Sequence, residues 1–199
     1  MVRCSVTVGL AAAMAVGLAA VAAAQPARET AEPVSGEMHL PLPALVTTVG
    51  RADGTIVRVI SERAGLEGVQ LLEDVSAEDL EGIETLIVAM GGSTKGLGAA
   101  AIDAGAELER GGDVLEAAHA AGLKVLGVHV GGEARRGELS DPFCELVGNH
   151  SDALLVKASG NGDGFFNEIA ERRDIPLVEV ETNGAAISAI GDLFGIEDE

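Results

Sequence analysis

Tryptophan and tyrosine are absent from the 199 residues, and phenylalanine occurs four times. Without rings to stack against, neither a sugar site built on aromatics nor a platform for single-stranded nucleic acid is expected. The core must instead be packed with Val, Ile, Leu and Ala, the side chains of a buried parallel sheet covered by Ala-rich helices. Positive charge is also scarce. Thirteen basic residues face 32 acidic ones, a formal net charge of −19. That balance argues against DNA, RNA or an anionic lipid surface as partner. Lysine occurs only at Lys95, Lys124 and Lys157. The two cysteines are Cys4 and Cys144. Cys4 falls in an expected leader, so the mature chain holds one thiol and no intramolecular disulfide. A lone Cys144 between Phe143 and Glu145 reads as a small core residue.

The amino terminus has the pattern of a secretion signal. Arg3 gives a positive start, Ser5 to Ala24 carry no charge, and Ala22 and Ala24 place small residues at the −3 and −1 positions of a cleavage site. The alternative is an uncleaved membrane anchor, since about 20 uncharged residues can just span a bilayer. Residues 25–43 hold Pro26, Pro33, Pro41 and Pro43 and read as a linker. A single domain is expected over residues 44–199.

In that domain short β-branched runs alternate with amphipathic stretches. Strands are expected at Ala44–Val49, Gly68–Leu72, Ile83–Met90, Lys124–Val130, Ala153–Lys157 and Leu177–Glu181. Helices are expected at Gly54–Ala64, with Ile56, Val59 and Ile60 on one face, then at Ser76–Leu80, Ala104–Ala121, Glu138–Gly148, Gly164–Arg173 and Asn183–Phe194. This alternation predicts an α/β fold: a three-layer αβα sandwich around a parallel sheet of five to six strands, flavodoxin-like or Rossmann-like. A flavodoxin-like order, 2-1-3-4-5 with a sixth strand at the edge, sets the first three long loops side by side.

Four loops that follow the strands, residues 50–53, 91–103, 131–142 and 159–164, are long, Gly-rich and polar, whereas connections at the other sheet edge are short. Ligands of open parallel sheets bind outside the carboxyl ends of the strands. The candidate ligand-binding set is therefore Gly91, Gly92, Ser93, Thr94, Lys95, Gly96 and Asp103 from the second loop. The third supplies His129, Gly131, Gly132, Glu133, Arg135, Arg136 and Asp141, and the fourth Asn161 and Asp163. Lys95, Arg135 and Arg136 bring rare cations to one edge, and guanidinium forks suit a carboxylate or phosphate. The competing reading pairs the arginines locally with Glu133, Glu138 or Asp141. His129 reads first as a packed, hydrogen-bonded residue. Asn161 and Asp163 read first as turn and cap residues.

Several familiar chemistries lack their anchor. Gly91 to Gly96 opens like a phosphate loop, but Leu97-Gly98 stand where Lys and Ser or Thr are needed. Gly96-x-Gly98-x-x-Ala101 matches a dinucleotide fingerprint only loosely. No Gly-x-Ser-x-Gly, Cys-x-x-Cys or His-Glu-x-x-His occurs. The carboxylates Asp103, Glu133, Asp141 and Asp163 have no strong metal-ligand spacing.

Taken together, Gly91 to Ala100, Ile102-Asp103, His129 to Gly137, Ser140-Asp141 and Asn161 to Gly164 resemble an uncharacterised bacterial family, domain of unknown function 6305. The resemblance covers about residues 44–195 and departs at Arg51-Ala52-Asp53-Gly54. It implies an exported or envelope-associated α/β protein and carries no established activity, so no catalytic residue or cofactor follows from it. Three expectations stand. The first is a module for a small anionic molecule, passing it to a membrane transport partner. The second is an enzyme using Asp103, His129, Glu133 or Asp141, with or without a metal. The third is an interaction protein whose Gly loops are only tight turns.

Export is directly testable. N-terminal sequencing of the protein from its native cell envelope is expected to read from Gln25. A start at Met1 in the membrane fraction supports the anchor instead, and an intact cytosolic chain overturns export.

Overall fold

A computed structural model of the chain describes residues 39–196. The expected leader and residues 25–38 of the expected linker lie outside the described residues. Of the remainder, Leu40 is buried and its amide donates to the Leu193 carbonyl at 2.7 Å, while Pro41, Leu42 and Pro43 are exposed.

The strands form because their side chains are apolar on both faces. β1 (Ala44–Val49) and β3 (Thr85–Met90) are buried at every position. β4 spans Lys124–His129, β5 Ala153–Lys157 and β6 Leu177–Val180, while β2 is only Gln70–Leu71. All pairs are parallel, in the order β2-β1-β3-β4-β5-β6. Successive side chains point to opposite faces. Val46, Ile87, Leu126, Val128 and Leu155 enter one core, and Leu45, Leu86, Val88, Val125 and Leu154 the other.

The helices sort onto these two faces. α1 (Gly54–Arg63) and α6 (Asn183–Phe194) bury Val57, Ile60 and Ile190 in the first core. α3 (Ala104–Ala120), α4 (Asp141–His150) and α5 (Phe165–Arg173) bury Leu115, Phe143 and Phe166 in the second. Right-handed crossovers require this sorting: the β1-to-β2 step and the steps from β3 onward move in opposite directions across the sheet. The result is a three-layer αβα sandwich with flavodoxin-like strand order. Among the described residues no helix is long and apolar enough to cross a membrane.

Four local expectations change. Residues 94–99, read as loop, form α2 (Thr94–Ala99), because Ser93 Oγ accepts the Gly96 amide as an N-cap and Leu97 is buried. α4 starts three residues later than expected, since Pro142 fits only a first helical turn. The segment Ser76–Leu80 is a single 3-10 turn at Glu78–Leu80, with Asp79 accepting from the Ser76 amide and hydroxyl. On α1 the buried face is Val57, Ile60 and Ser61, while Ile56 and Val59 are 42% and 36% exposed.

Two glycines separate helix from close approach. Gly98 lies inside α2 with open space around it, whereas Gly50 has φ +96 and a Cβ there would collide with the Gly91 carbonyl. Gly98→Ala is expected to raise stability by about 0.5–1 kcal/mol. Gly50→Ala is expected to cost more than about 1 kcal/mol through backbone strain. Urea unfolding of both variants checks this, and a destabilised Gly98→Ala contradicts the α2 helix.

Candidate functional site

β1 and β3 are neighbours whose chains leave in opposite directions, so the crevice of this fold lies at their carboxyl ends. The loops meet there. Arg51 and Gly92 form an antiparallel bridge, and the Ser93 amide donates to the Gly50 carbonyl at 2.9 Å. The Gly92 amide donates to Ser140 Oγ at 3.0 Å, bringing in the start of α4. Several backbone positions here need unusual φ, among them Gly50 at 96°, Gly91 at 142°, Gly132 at 64° and, without glycine's freedom, Arg51 at 61° and Asp53 at 58°.

The first loop is held by a carboxylate that the sequence reading passed over. Glu107, on α3, is fully buried and accepts from four donors. These are the Gly50 amide at 3.0 Å, Arg51 Nε at 2.9 Å, Arg110 Nε at 2.8 Å and Arg110 Nη2 at 2.7 Å. Burial alone pushes its carboxyl up, but Arg110, the Gly50 amide and Arg51 together hold it below the usual range. Arg51 also donates to Asp74 at 2.5 Å, and its side chain is 4% exposed. It is a buried structural cation.

Arg136 is used in the same way. It donates to Asp141 Oδ1 at 2.7 Å, Asp163 Oδ2 at 3.0 Å and the Gly160 carbonyl. Its guanidinium lies over the Phe165 ring, 4.3 Å from the centroid. The hydrogen bond from Arg136 holds the Asp163 carboxyl below its usual range. Arg136 thus joins the third loop, α4 and the fourth loop, and local pairing accounts for Arg136, Asp141 and Asp163 together.

Arg135 differs. It lies on a 3-10 turn (Glu133–Arg135) that follows β4. Its side chain is 39% exposed, and Nε is 3.7 Å from Asp53 Oδ1, an ion pair too long for a hydrogen bond. Asp53 caps α1 from a left-handed backbone, φ 58°, and lies across the crevice from β1 towards Gly131. Lys95 and Thr94 are exposed on α2. The arginine that remains accessible at the strand ends is therefore Arg135, beside Asp53.

Other candidates have structural partners. Asp103 Oδ1 accepts the Ala106 amide at 2.9 Å as the cap of α3. Asn161 is buried and accepts from the Phe166 amide at 2.8 Å while donating to Asn167 and Glu179 at 2.6 Å. Glu133 is exposed. His129 is fully enclosed on the α3–α5 face, its ring 5.2 Å from that of Phe166. Its two nitrogens face the Met90 and Gly132 carbonyls at 3.2 and 3.3 Å. Burial holds the ring's pKa below the ordinary histidine value despite those carbonyls. Cys144 Sγ is 3.8 Å from His129 Nδ1, and burial pushes this thiol up to about 12, leaving it protonated. Among the described residues no three His, Cys, Asp or Glu side chains gather as a metal-binding group. A groove of about 300 Å³ lies elsewhere, between α1 and α6, lined by Ile56, Val59, Ile60 and Ile187 together with Arg63 and Asn183.

Residues missed by the sequence reading are Arg51, Asp53 and Glu107. Glu107 was visible in helical periodicity, being spaced with Gly111, Val114, Leu115 and Ala118 on the buried side of α3. Asp53 before Gly54 had the form of a cap preceding a helix. A family model described as "Domain of unknown function (DUF6305)" matches residues 42–194. No curated protein matches the chain.

His129 gives this edge a pH signature. The unfolded ring takes up a proton near pH 6.5, and the folded ring, its pKa lowered by burial, resists it. Its contribution is present above that pH and is lost as pH falls below it. Urea midpoints are expected to fall between pH 7.5 and 5.5, before the carboxylates titrate, and to fall less in His129→Gln. A flat wild-type profile contradicts the buried neutral imidazole.

Proposed function

The chain belongs to the family defined by domain of unknown function 6305, and on that footing we propose an exported protein that binds a small molecule through its anionic group. The ligand sits at the carboxyl ends of β1, β3 and β4, with Arg135 as its principal cation and Lys95 as a second. The observation that carries this reading is the contrast among three arginines. Arg51 and Arg136 are enclosed and donate to carboxylates at hydrogen-bond distance, while Arg135 is half-buried, with a side chain open to the crevice, and holds its only ion-pair partner among the described residues at 3.7 Å. A guanidinium in that state keeps hydrogen-bond donors open to a carboxylate or phosphate. Export is supported by the leader pattern in residues 1–24, and a single-domain binder outside the cytoplasm would pass its ligand to a membrane transport partner.

A thermal-shift panel of carboxylates, phosphates and nucleotides is expected to find an anion that raises the melting temperature. Arg135→Ala is expected to abolish that rise while changing stability by no more than about 0.5 kcal/mol. Arg136→Ala is expected to cost roughly 1.5–3 kcal/mol in the absence of ligand, through lost charged hydrogen bonds. If no anion shifts the midpoint, or Arg135→Ala leaves the shift intact, the reading fails.

A further inference from the structure

Asp53 carries an oxygen with no partner. Among the described residues five buried side-chain nitrogen or oxygen atoms lack a hydrogen bond, and Asp53 Oδ2 is the only carboxylate oxygen of the five. A buried carboxylate oxygen without a donor is costly, so a native protein that keeps one invites a functional explanation. The backbone at Asp53 is unusual as well. Asp53 holds φ 58°, a left-handed conformation that non-glycine residues adopt sparingly, fixed by the Val57 amide donating to its carbonyl at 3.0 Å. That conformation directs the side chain across the crevice, where a Cβ on Gly131 would stand 2.7 Å from Oδ2 and would collide with the Arg135 side chain. Gly131 is what allows Asp53 and Arg135 to approach each other over the end of β4.

We propose that the ligand is an amino-acid-like zwitterion, its carboxylate on Arg135 and its ammonium on Asp53 Oδ2. This rests on the anion-binding reading above and specifies the ligand for the same site. Electrostatics selects the class. A bare metal cation at Oδ2 is opposed by the guanidinium beside it, and a simple anion at Arg135 is opposed by the Asp53 carboxylate. A molecule carrying both charged groups on one carbon satisfies each side chain and replaces a 3.7 Å ion pair with two close ones. The side chain of Asp53 is only 11% exposed, so the ammonium reaches Oδ2 once Arg135 swings towards the ligand's carboxylate.

Matched pairs of compounds test this by titration calorimetry on the purified protein: glutamate against glutarate, alanine against propionate, leucine against 4-methylpentanoate. At least one amino acid is expected to bind tenfold or more tightly than its deaminated partner. Asp53→Asn, which tolerates the left-handed backbone, is expected to erase that preference and to leave binding of the deaminated acid equal or stronger. The wild-type comparison stands even if the variant does not fold. If carboxylates bind without any preference for the amino group, a water satisfies Oδ2 and this proposal is overturned while anion binding stands. If neither member of any pair binds but another anion does so through Arg135, the zwitterion alone is refuted. If nothing binds, both readings fall.

Discussion

Burying a carboxylate with no route to solvent requires that every lone pair find a donor, and Glu107 is placed under that requirement. Its four donors come from the end of β1 and from its own helix, so α3 can seat only when the first loop has the conformation that presents the Gly50 amide and Arg51. The Arg110 guanidinium extends the constraint by donating to the Thr48 carbonyl at 2.6 Å. The unusual φ at Arg51 and Gly50 follows, because a conventional turn would aim these donors elsewhere. Once the first loop is set, Gly92 and Ser93 bond to it, and Ser140 bonds to Gly92. The ends of β1 and β3 and the start of α4 are thus tied, through that loop, to one acid.

In a chain with few cations, their allocation divides the edge into scaffold and recognition surface. Arg51 and Arg136 are saturated by carboxylates and largely removed from water, and they tie loop to helix and loop to loop. Losing either leaves buried charge or unanchored backbone. Arg135 adjoins Arg136 in sequence yet points into the crevice, since the 3-10 turn ends at Arg135 and the backbone is already extended at Arg136. The adjacent pair thus serves two purposes, one inward to the fold and one towards whatever enters the crevice. His129 and Cys144 lie beneath this surface as packed groups, with burial disfavouring ionisation of both.

The architecture was legible because its signals are local and repeated. Apolar runs, Gly stops and the inequality of the two sets of loops specify six parallel strands and the edge where loops collect. Boundaries moved where a cap or proline outweighed composition, as Ser93 did for α2 and Pro142 for α4. The glycines of α2 concealed a helix because two of them, Gly96 and Gly98, lower intrinsic propensity, while the burial of Leu97 that helps offset them is a tertiary fact. Within the site, residue type pointed correctly to the arginines but could not tell which would be saturated, since Asp163 and Gly160 reach Arg136 from a loop more than 20 residues away. Asp53 stayed outside the candidate set for a related reason. Its significance lies in what Oδ2 lacks, and sequence does not display an absent hydrogen bond.

The two margins of the sheet bear on how the chain behaves when crowded. An unpaired strand edge is a template for another molecule's strand. Here one margin is β2, whose two residues offer too short a row of amides and carbonyls to recruit a neighbour. The other is β6, where Glu179 sits exposed in the middle of the strand. A second chain approaching that margin would meet its own negative charge in register, on a molecule already carrying −19. Brevity on one side and an exposed carboxylate on the other are both features that disfavour edge-to-edge pairing.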